Sequence, residues 1–265
     1  MIYERLSLSD ESMIASYAEH IQRYQFALEY CRGKRVLDAG CGTGYGSHFL
    51  ASNGATSVLA VDISREALNE ADHNYRLKNL RYQIRNVESL CEEPSLREQF
   101  DVVVNFENLE HLQRPSQLVE GAAATLKRGG TFITSTPNGA ISERGANGTL
   151  LNIFHVKEFT QEELTALLSP HFETLSMFGQ WLTHSGKLRK MRARELFEQL
   201  CEMYYNPISR LGRVLKRFAR RRVTGPPRFT AGQDSFVGDY EIRPLESRAF
   251  LWAPTVLIAV CQKGS

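Results

Sequence analysis

The chain has 265 residues, of which 42% are hydrophobic and 23% charged, with 19 glycines and 9 prolines. This composition is typical of a soluble globular protein and excludes collagen-like, low-complexity and disordered chains. The length predicts one large domain, or one domain with a sizeable insertion. The most apolar run, residues 250–261, contains Pro254 and is shorter than the roughly 20 residues that cross a membrane.

Two features predict a cytoplasmic protein. The first residues lack a basic region followed by an apolar run, so the sequence predicts no secretion. The five cysteines, at positions 31, 41, 91, 201 and 261, are odd in number and include no Cys-x-x-Cys pair. We therefore expect reduced thiols, and a zinc cluster built on cysteine is excluded.

The charge is unevenly distributed. The net charge of +2 hides a basic block, residues 187–222, with twelve lysines and arginines against three glutamates, whereas the rest of the chain has 20 basic and 27 acidic residues. Within this block Ile208, Leu211, Leu215 and Phe218 recur at helical spacing. Such a helix is typical of a surface that meets an anionic membrane, a phosphorylated substrate or nucleic acid. A solvated helix face is the open alternative.

Strands and helices alternate along the first two thirds of the chain. Seven segments are predicted strands: 35–39, 57–61, 81–85, 100–105, 130–135, 172–178 and 255–261. Predicted helices cover 11–31, 45–52, 64–71, 115–127 and 160–168. Ser64 and Thr160 are predicted N-caps, the latter with Glu163 in a capping box.

This alternation predicts an α/β fold: a Rossmann-like, seven-stranded, mostly parallel sheet with helices on both faces. The stretch between the last two strands interrupts the pattern and contains the basic block and a Gly-Pro-Pro sequence at 225–227. We therefore predict a core of residues 1–182, an inserted helical basic cap of 183–250, and a final core strand within 251–265.

A glycine cluster follows the first predicted strand and opens a helix. Gly40, Gly42 and Gly44 allow a tight turn and a close approach of backbone N–H groups to a ligand. Tyr45 stands where a dinucleotide fingerprint needs glycine, and the lysine of a P-loop is absent. Asp62, at the end of the second strand, can accept hydrogen bonds from a ribose diol. The pattern predicts a nucleoside ligand without a pyrophosphate.

These motifs resemble class I S-adenosylmethionine (SAM) dependent methyltransferases. The segment Val-Leu-Asp-Ala-Gly-Cys-Gly-Thr-Gly at 36–44 is similar to their first motif, and the later segments follow in the same order. The resemblance implies that Asp38 and Gly40 contact the methionine part of SAM, Asp62 the ribose, and the turn at 86–88 the adenine. The predicted cofactor contacts are Asp38, Gly40, Gly42, Gly44, Asp62, Asn86, Val87, Glu88 and Asn105.

The helix before the first strand is a further candidate. In the resembling family such helices close over SAM, so Arg23 is a candidate contact to its carboxylate. Tyr17, His20 and Tyr24 have helical spacing, so this face could equally be packed against the core.

A carboxylate and histidine cluster follows the fourth strand. If this segment forms a helical turn, Glu107, Glu110 and His111 share one face beside the reacting methyl group. His155, after the fifth strand, could supply a fourth ligand. The cluster resembles that of small-RNA terminal 2′-O-methyltransferases and, in part, that of quinone-biosynthesis O-methyltransferases. This resemblance implies that Glu107, Glu110, His111 and His155 hold a divalent metal.

A divalent ion would lower the pKa of a bound hydroxyl and orient it for attack. Mixed carboxylate and imidazole ligands suit Mn, Fe, Co or Zn better than Mg, which prefers oxygen. Two alternatives remain open: a metal-free histidine base, His111 or His155, or a purely structural cluster. The candidate catalytic residues are Glu107, His111 and His155.

The sequence therefore predicts a SAM-dependent O-methyltransferase whose acceptor is a hydroxyl of a small molecule. A sugar or glycan precursor that carries phosphate agrees best with diol chemistry and the basic block. The alternatives are 2′-O-methylation of RNA ends and a non-catalytic SAM-binding module.

Overall fold

The computed structural model describes residues 14–142, 144–145, 147–183, 240–246 and 253–265. The basic block lies outside the described residues, as does most of the predicted cap. The division of the chain into core, cap and final strand therefore stays a prediction.

The described residues form five α-helices and eight strands. The helices are α1 (Ile14–Cys31), α2 (Tyr45–Ser52), α3 (Arg65–Asn74), α4 (Pro115–Thr125) and α5 (Gln161–Leu168). The strands are β1 (Arg35–Ala39), β2 (Ser57–Asp62), β3 (Leu80–Ile84), β4 (Phe100–Phe106), β5 (Leu126–Pro137), β6 (Thr174–Leu182), β7 (Tyr240–Pro244) and β8 (Val256–Gln262). Among the helices described here, none is long and apolar enough to cross a membrane.

All eight strands belong to one sheet, in the order β3-β2-β1-β4-β5-β8-β6-β7. The first five are parallel, whereas β8, β6 and β7 pair antiparallel. The predicted α/β sheet is confirmed, but the count of seven strands is wrong by one. The extra strand, β7, lies within the range predicted as cap and is too short and polar to stand out. Its Pro244 is tolerated because β7 is an edge strand.

The parallel strands are apolar along their length because helices cover both faces of the sheet. One core cluster includes Val36 and Val104 with Leu50 of α2 and Ile21 of α1. The other includes Leu37 and Val103 with residues of α4 and α5. The order of connections reverses at β1, so the loops after β1 and β4 diverge and leave a crevice at the carboxyl ends of these strands.

Both predicted helix caps are confirmed. The Ser64 hydroxyl accepts a hydrogen bond from the backbone N–H of Ala67 at the start of α3. Thr160 and Glu163 form the reciprocal capping box of α5. These caps fix where α3 and α5 begin, and hence the ends of the loops that precede them.

Candidate active site

The glycine loop lies at the carboxyl end of β1, and its shape requires glycine. Gly40, Gly42 and Gly44 have φ angles of 84°, 54° and 82°, in the left-handed region. A Cβ on Gly40 would lie 2.8 Å from the Asn108 side chain, and one on Gly44 would lie 2.6 Å from Ala71 Cβ. At Gly42, by contrast, no atom of the described residues other than Gly42 and its two chain neighbours lies within 4 Å of that position. The loop therefore presents Gly42 to open space, where a ligand can approach its backbone.

Asp62 holds this loop to the end of β2. One carboxylate oxygen accepts the backbone N–H of Gly42 at 2.9 Å, and the other accepts that of Ser64 at 2.8 Å. The side chain is only partly buried, and each carboxylate oxygen can accept more than one hydrogen bond. The carboxylate therefore has acceptor capacity left for a ribose diol.

Asp38 lies beneath the loop in a buried polar network. Its carboxylate accepts hydrogen bonds from the Ser47 hydroxyl at 2.6 Å and from the Tyr24 hydroxyl at 3.3 Å. Burial raises the pKa of Asp38 to about 7, although these two hydrogen bonds act in the opposite direction. In the described contacts Asp38 joins α1 and α2 to β1, and its predicted contact with SAM stays a prediction.

The turn at 86–88 is held mainly by its own contacts. The Asn86 side chain accepts the backbone N–H of Glu88 at 3.0 Å and caps a 3₁₀ helix, Val87–Glu92. Val87 is buried, and the Glu88 carboxylate accepts the backbone N–H of Arg114. This arrangement gives a fixed turn near the end of β3, and its contact with adenine stays a prediction.

Ile63, which the sequence analysis missed, follows Asp62 directly and is 69% exposed. This exposed apolar side chain lies beside a carboxylate suited to a ribose, which makes Ile63 a candidate contact for the adjoining base. The available signal was its position, immediately after the acid that ends β2.

Asn105 uses its side chain within the sheet. It is fully buried, donates to the Ala39 carbonyl at 2.6 Å, and accepts from the Thr134 hydroxyl at 3.2 Å. It thus ties β4 to the end of β1 and to β5. Its predicted cofactor contact stays a prediction, and its visible role is to support the glycine loop from below.

Three of the four predicted metal ligands converge. One ligand atom from each of Glu110, His111 and His155 lies within 4.8 Å of the other two. The backbone N–H groups of Val156 and Lys157 donate to the Glu110 carbonyl at 2.7 and 3.2 Å, which fixes the loop of His155 against the turn after β4. Asn108, in that same turn, packs against Gly40. The cluster therefore adjoins the glycine loop.

Glu110 is the buried member of this cluster. Its carboxylate is 1% exposed and accepts a hydrogen bond from the Thr136 hydroxyl at 3.0 Å. Burial and then the nearby Glu107 carboxylate raise the pKa of Glu110 well above its usual value. A cation beside Glu110 would stabilise the charged form of this buried carboxylate.

Glu107 is not a member of the three-residue group. Its backbone has a φ of 48°, which ends the helical geometry that the sequence spacing had assumed. One carboxylate oxygen accepts the Ser135 hydroxyl at 2.7 Å, and the other lies 3.8 Å from Arg23 Nη2. Glu107 therefore faces Arg23, and its role as a ligand stays a prediction.

Arg23 is a buried cation with unused donors. Its side chain is fully buried, and Nη1 donates to Gln180 Oε1 at 2.5 Å. Its Nε and Nη2 have no hydrogen-bond partner within the part of the chain that the structure describes. Buried donors of this kind are costly unless a ligand satisfies them. The carboxylates of Glu19 and Glu107 each lie 3.8 Å from the guanidinium, and the Nε and Nη2 donors that remain suit a further anionic group.

Gln180, on β6, was missed by sequence reasoning and sets the position of Arg23. Besides accepting from Arg23, it donates to the Glu19 carbonyl at 2.9 Å and to Gln22 Oε1 at 2.8 Å. On α1, Nδ1 of His20 lies 3.0 Å from the hydroxyl of Tyr45, the first residue of α2. These contacts fix α1, and with it Arg23, against β6 and the start of α2.

The chain matches the model of a methyltransferase domain over residues 31–198, and it belongs to that family. A Mycolicibacterium smegmatis protein named "Probable S-adenosylmethionine-dependent methyltransferase" is 34% identical over 197 residues, 71% of this chain and 73% of that protein. The ubiquinone biosynthesis O-methyltransferase of Coxiella burnetii is 36% identical over 109 residues, 40% of this chain and 45% of that protein. The chain is thus a SAM-dependent methyltransferase.

The solved structures agree on the fold. A SAM-dependent methyltransferase from Thermotoga maritima has a TM-score of 0.58 at 14% identity, and the match covers 95% of this chain and 92% of that one. The described residues also fit SAM as the cofactor. Gly42 faces open space, Asp62 has acceptor capacity, and Arg23 holds buried donors suited to a carboxylate.

Proposed function

We propose that this chain is an O-methyltransferase that transfers the methyl group of SAM to a hydroxyl of a small molecule, with the help of one divalent metal. The acceptor is a sugar or glycan precursor. The observation that carries this proposal is the convergence of Glu110, His111 and His155 beside the glycine loop.

The cofactor would be held from three sides. Arg23 would pair with its carboxylate, the open backbone at Gly42 would approach its methionine part, and Asp62 would accept from its ribose. Ile63 and the turn at 86–88 would border the adenine. Bound SAM supplies a methyl group that its sulfonium already activates. The remaining task of the protein is to hold an acceptor hydroxyl in line and to remove its proton.

The metal would be held by one carboxylate and two imidazoles, with Glu107 as a fourth candidate. This donor set suits Mn, Fe, Co or Zn better than Mg. A divalent cation at this place would lower the pKa of a hydroxyl that it contacts. In the metal-free alternative, His111 or His155 accepts the hydroxyl proton at a ring nitrogen.

The choice of acceptor rests on the ability of a bound cation to hold a diol and on the basic block in the sequence. Two neighbouring hydroxyls can bind one cation, as in a sugar, and the basic block suits an acceptor that carries phosphate. The same block would account for a contact with an anionic membrane or with an RNA end. The Coxiella burnetii relative favours a second candidate, a catechol-type hydroxyl of a quinone precursor.

We place this activity in the cytoplasm. The support is that all four cysteines in the described part of the chain are free thiols.

The test measures metal content and metal-dependent methyl transfer on the full chain, purified without a chelating tag. Nucleotide sugars, catechols and short RNAs serve as acceptors. We expect about one divalent ion per chain and transfer to a vicinal diol, both lost in Glu110→Gln. Glu162→Gln, an exposed glutamate in the first turn of α5, should leave both unchanged. Methyl transfer at the same rate with and without divalent metal would contradict the role of the metal. Transfer to RNA and to no other acceptor would contradict the proposed sugar acceptor.

A further inference from the structure

Glu158 lies next to the candidate metal cluster without belonging to it. Its Oε1 is 2.5 Å from His155 Nδ1, and both side chains are about one tenth exposed or less. Its other carboxylate oxygen is buried with no hydrogen-bond partner within the described residues. No part of the proposed mechanism has used this carboxylate.

The contacts of His155 select one tautomer. An ionised carboxylate can only accept hydrogen bonds, so the short contact with Glu158 requires the hydrogen to be on Nδ1. The Nε2 atom of a neutral imidazole then carries the lone pair. Asn152 Nδ2 lies 2.9 Å from that Nε2, as a donor should. The Asn152 amide is fixed in this orientation, because its oxygen accepts the backbone N–H of Phe154 at 3.0 Å.

The same loop selects the tautomer of His111. The Phe154 carbonyl lies 3.1 Å from His111 Nδ1, and a carbonyl can only accept. The hydrogen of His111 is therefore also on Nδ1, and its Nε2 lone pair lies 3.9 Å from Glu110 Oε1. Both imidazoles thus keep their Nε2 atoms as potential ligands.

We infer that Glu158 is a positioning residue, which holds His155 as the Nδ1–H tautomer so that Nε2 is presented to a divalent cation. This inference rests on the proposed function. Asn152 donates to Nε2 while no cation is bound, and the cation replaces that hydrogen bond. A cation on Nε2 makes the Nδ1 hydrogen more positive, which strengthens its bond to Glu158. The buried charge of Glu158 in turn favours the cation.

The first test measures Mn²⁺ binding to the full chain by calorimetry, with Mn²⁺ alone as the probe. Glu158→Gln keeps the shape of the side chain and removes its charge, and we expect it to weaken Mn²⁺ binding by about 10- to 100-fold. The matched control is Glu162→Gln, four residues further on and exposed, which should bind Mn²⁺ like the wild type.

The second test reads the tautomer directly from the ¹⁵N resonances of the histidine rings in the metal-free protein. We expect His155 of the wild type to carry its hydrogen on Nδ1, and Glu158→Gln to shift it partly to Nε2, because a glutamine amide can donate as well as accept. A purely structural role for Glu158 would leave this signature unchanged. If Glu158→Gln does not fold, the wild-type spectrum still decides, since a hydrogen on Nε2 overturns the inference.

The outcomes separate the two proposals. If Glu110→Gln abolishes Mn²⁺ binding and Glu158→Gln leaves the affinity unchanged, the role of Glu158 is overturned and the metal site stands. If the wild type binds no Mn²⁺ or other divalent ion, the metal-assisted function fails, and so does the presentation of Nε2 to a cation.

Discussion

The proposed cofactor side and the proposed acceptor side of the crevice are built differently. On the cofactor side, the loop at 40–44 is fixed by backbone hydrogen bonds, left-handed glycines and a carboxylate at the end of the neighbouring strand. On the acceptor side, Glu110, His111 and His155 are brought together by a long connection between β5 and α5. The first arrangement is local, whereas the second depends on contacts between segments that are distant along the chain. We therefore expect substitutions on the two sides to separate cofactor binding from methyl transfer.

The largest expected effect is on the acceptor side. His155→Asn removes one imidazole, and methyl transfer should fall by about 100-fold or more, as expected for a lost ligand or base. SAM affinity, measured by calorimetry, should stay unchanged. His73→Asn, which alters an exposed histidine on α3, serves as the control. An equal loss of SAM binding in His155→Asn would show that the two sides do not act separately.

A second effect concerns stability beneath the glycine loop. The pKa of Asp38 is raised from 3.8 to about 7 by burial, so the folded chain binds a proton that the unfolded chain releases. The contribution of this proton to stability is complete at pH values below the pKa of Asp38 in the unfolded chain. It is lost as the pH rises through about 7. Between pH 5 and pH 7.5 the free energy of unfolding should therefore fall by about 2–3 kcal/mol.

In Asp38→Asn the free energy of unfolding, measured by urea denaturation at the same two pH values, should not show this fall. Asp72→Asn, which alters an aspartate of α3 whose side chain is half exposed, should keep it. A wild-type stability that does not change over this range would contradict the burial of a protonated Asp38.

Arg23 tests the cofactor side from α1. Arg23→Gln removes the buried charge but keeps some hydrogen-bonding capacity, and it should weaken SAM binding by about 2–3 kcal/mol, the scale of a hydrogen bond to a charged group. S-adenosyl compounds that lack the carboxylate should bind both proteins about equally. If the variant loses the same affinity for those compounds, Arg23 does not pair with the carboxylate.

Asp62 should give the smallest of these effects, because its carboxylate is partly exposed to water. Asp62→Ala should weaken SAM binding by roughly 1.5 kcal/mol, since the ribose loses an acceptor and Gly42 loses its tether. The 2′-deoxy analogue of SAM should show a smaller difference between wild type and variant. Unchanged SAM affinity in Asp62→Ala would refute the contact with the ribose.

Local signals made much of the fold predictable. The buried strands, the glycine loop and the caps at Ser64 and Thr160 depend on neighbours within a few residues, and the structure reproduces them. β7 was missed because its pairing with β6 joins segments about 60 residues apart. Five residues that alternate between apolar and charged carry little signal alone.

The candidate site was predictable in composition but not in geometry. Helical spacing suggested that Glu107 would join Glu110 and His111, yet the left-handed backbone at Glu107 turns its carboxylate towards Ser135 and Arg23. The bond between Gln180 and Arg23 joins positions 157 residues apart, which no local pattern can show. Such long-range polar contacts decide which donors remain available to a ligand.

The packing of Tyr24 against the first turn of α2 has a practical consequence. A Cβ on Gly46 of α2 would collide with the Tyr24 ring, so α1 and α2 fit together at this point without space between them. The family match covers residues 31–198. It therefore excludes Arg23 and Tyr24, and it ends before β8. A fragment trimmed to the matched residues would lose Arg23, the proposed partner of the cofactor carboxylate, and a central strand of the sheet. Domain boundaries chosen for expression should therefore include α1 and β8.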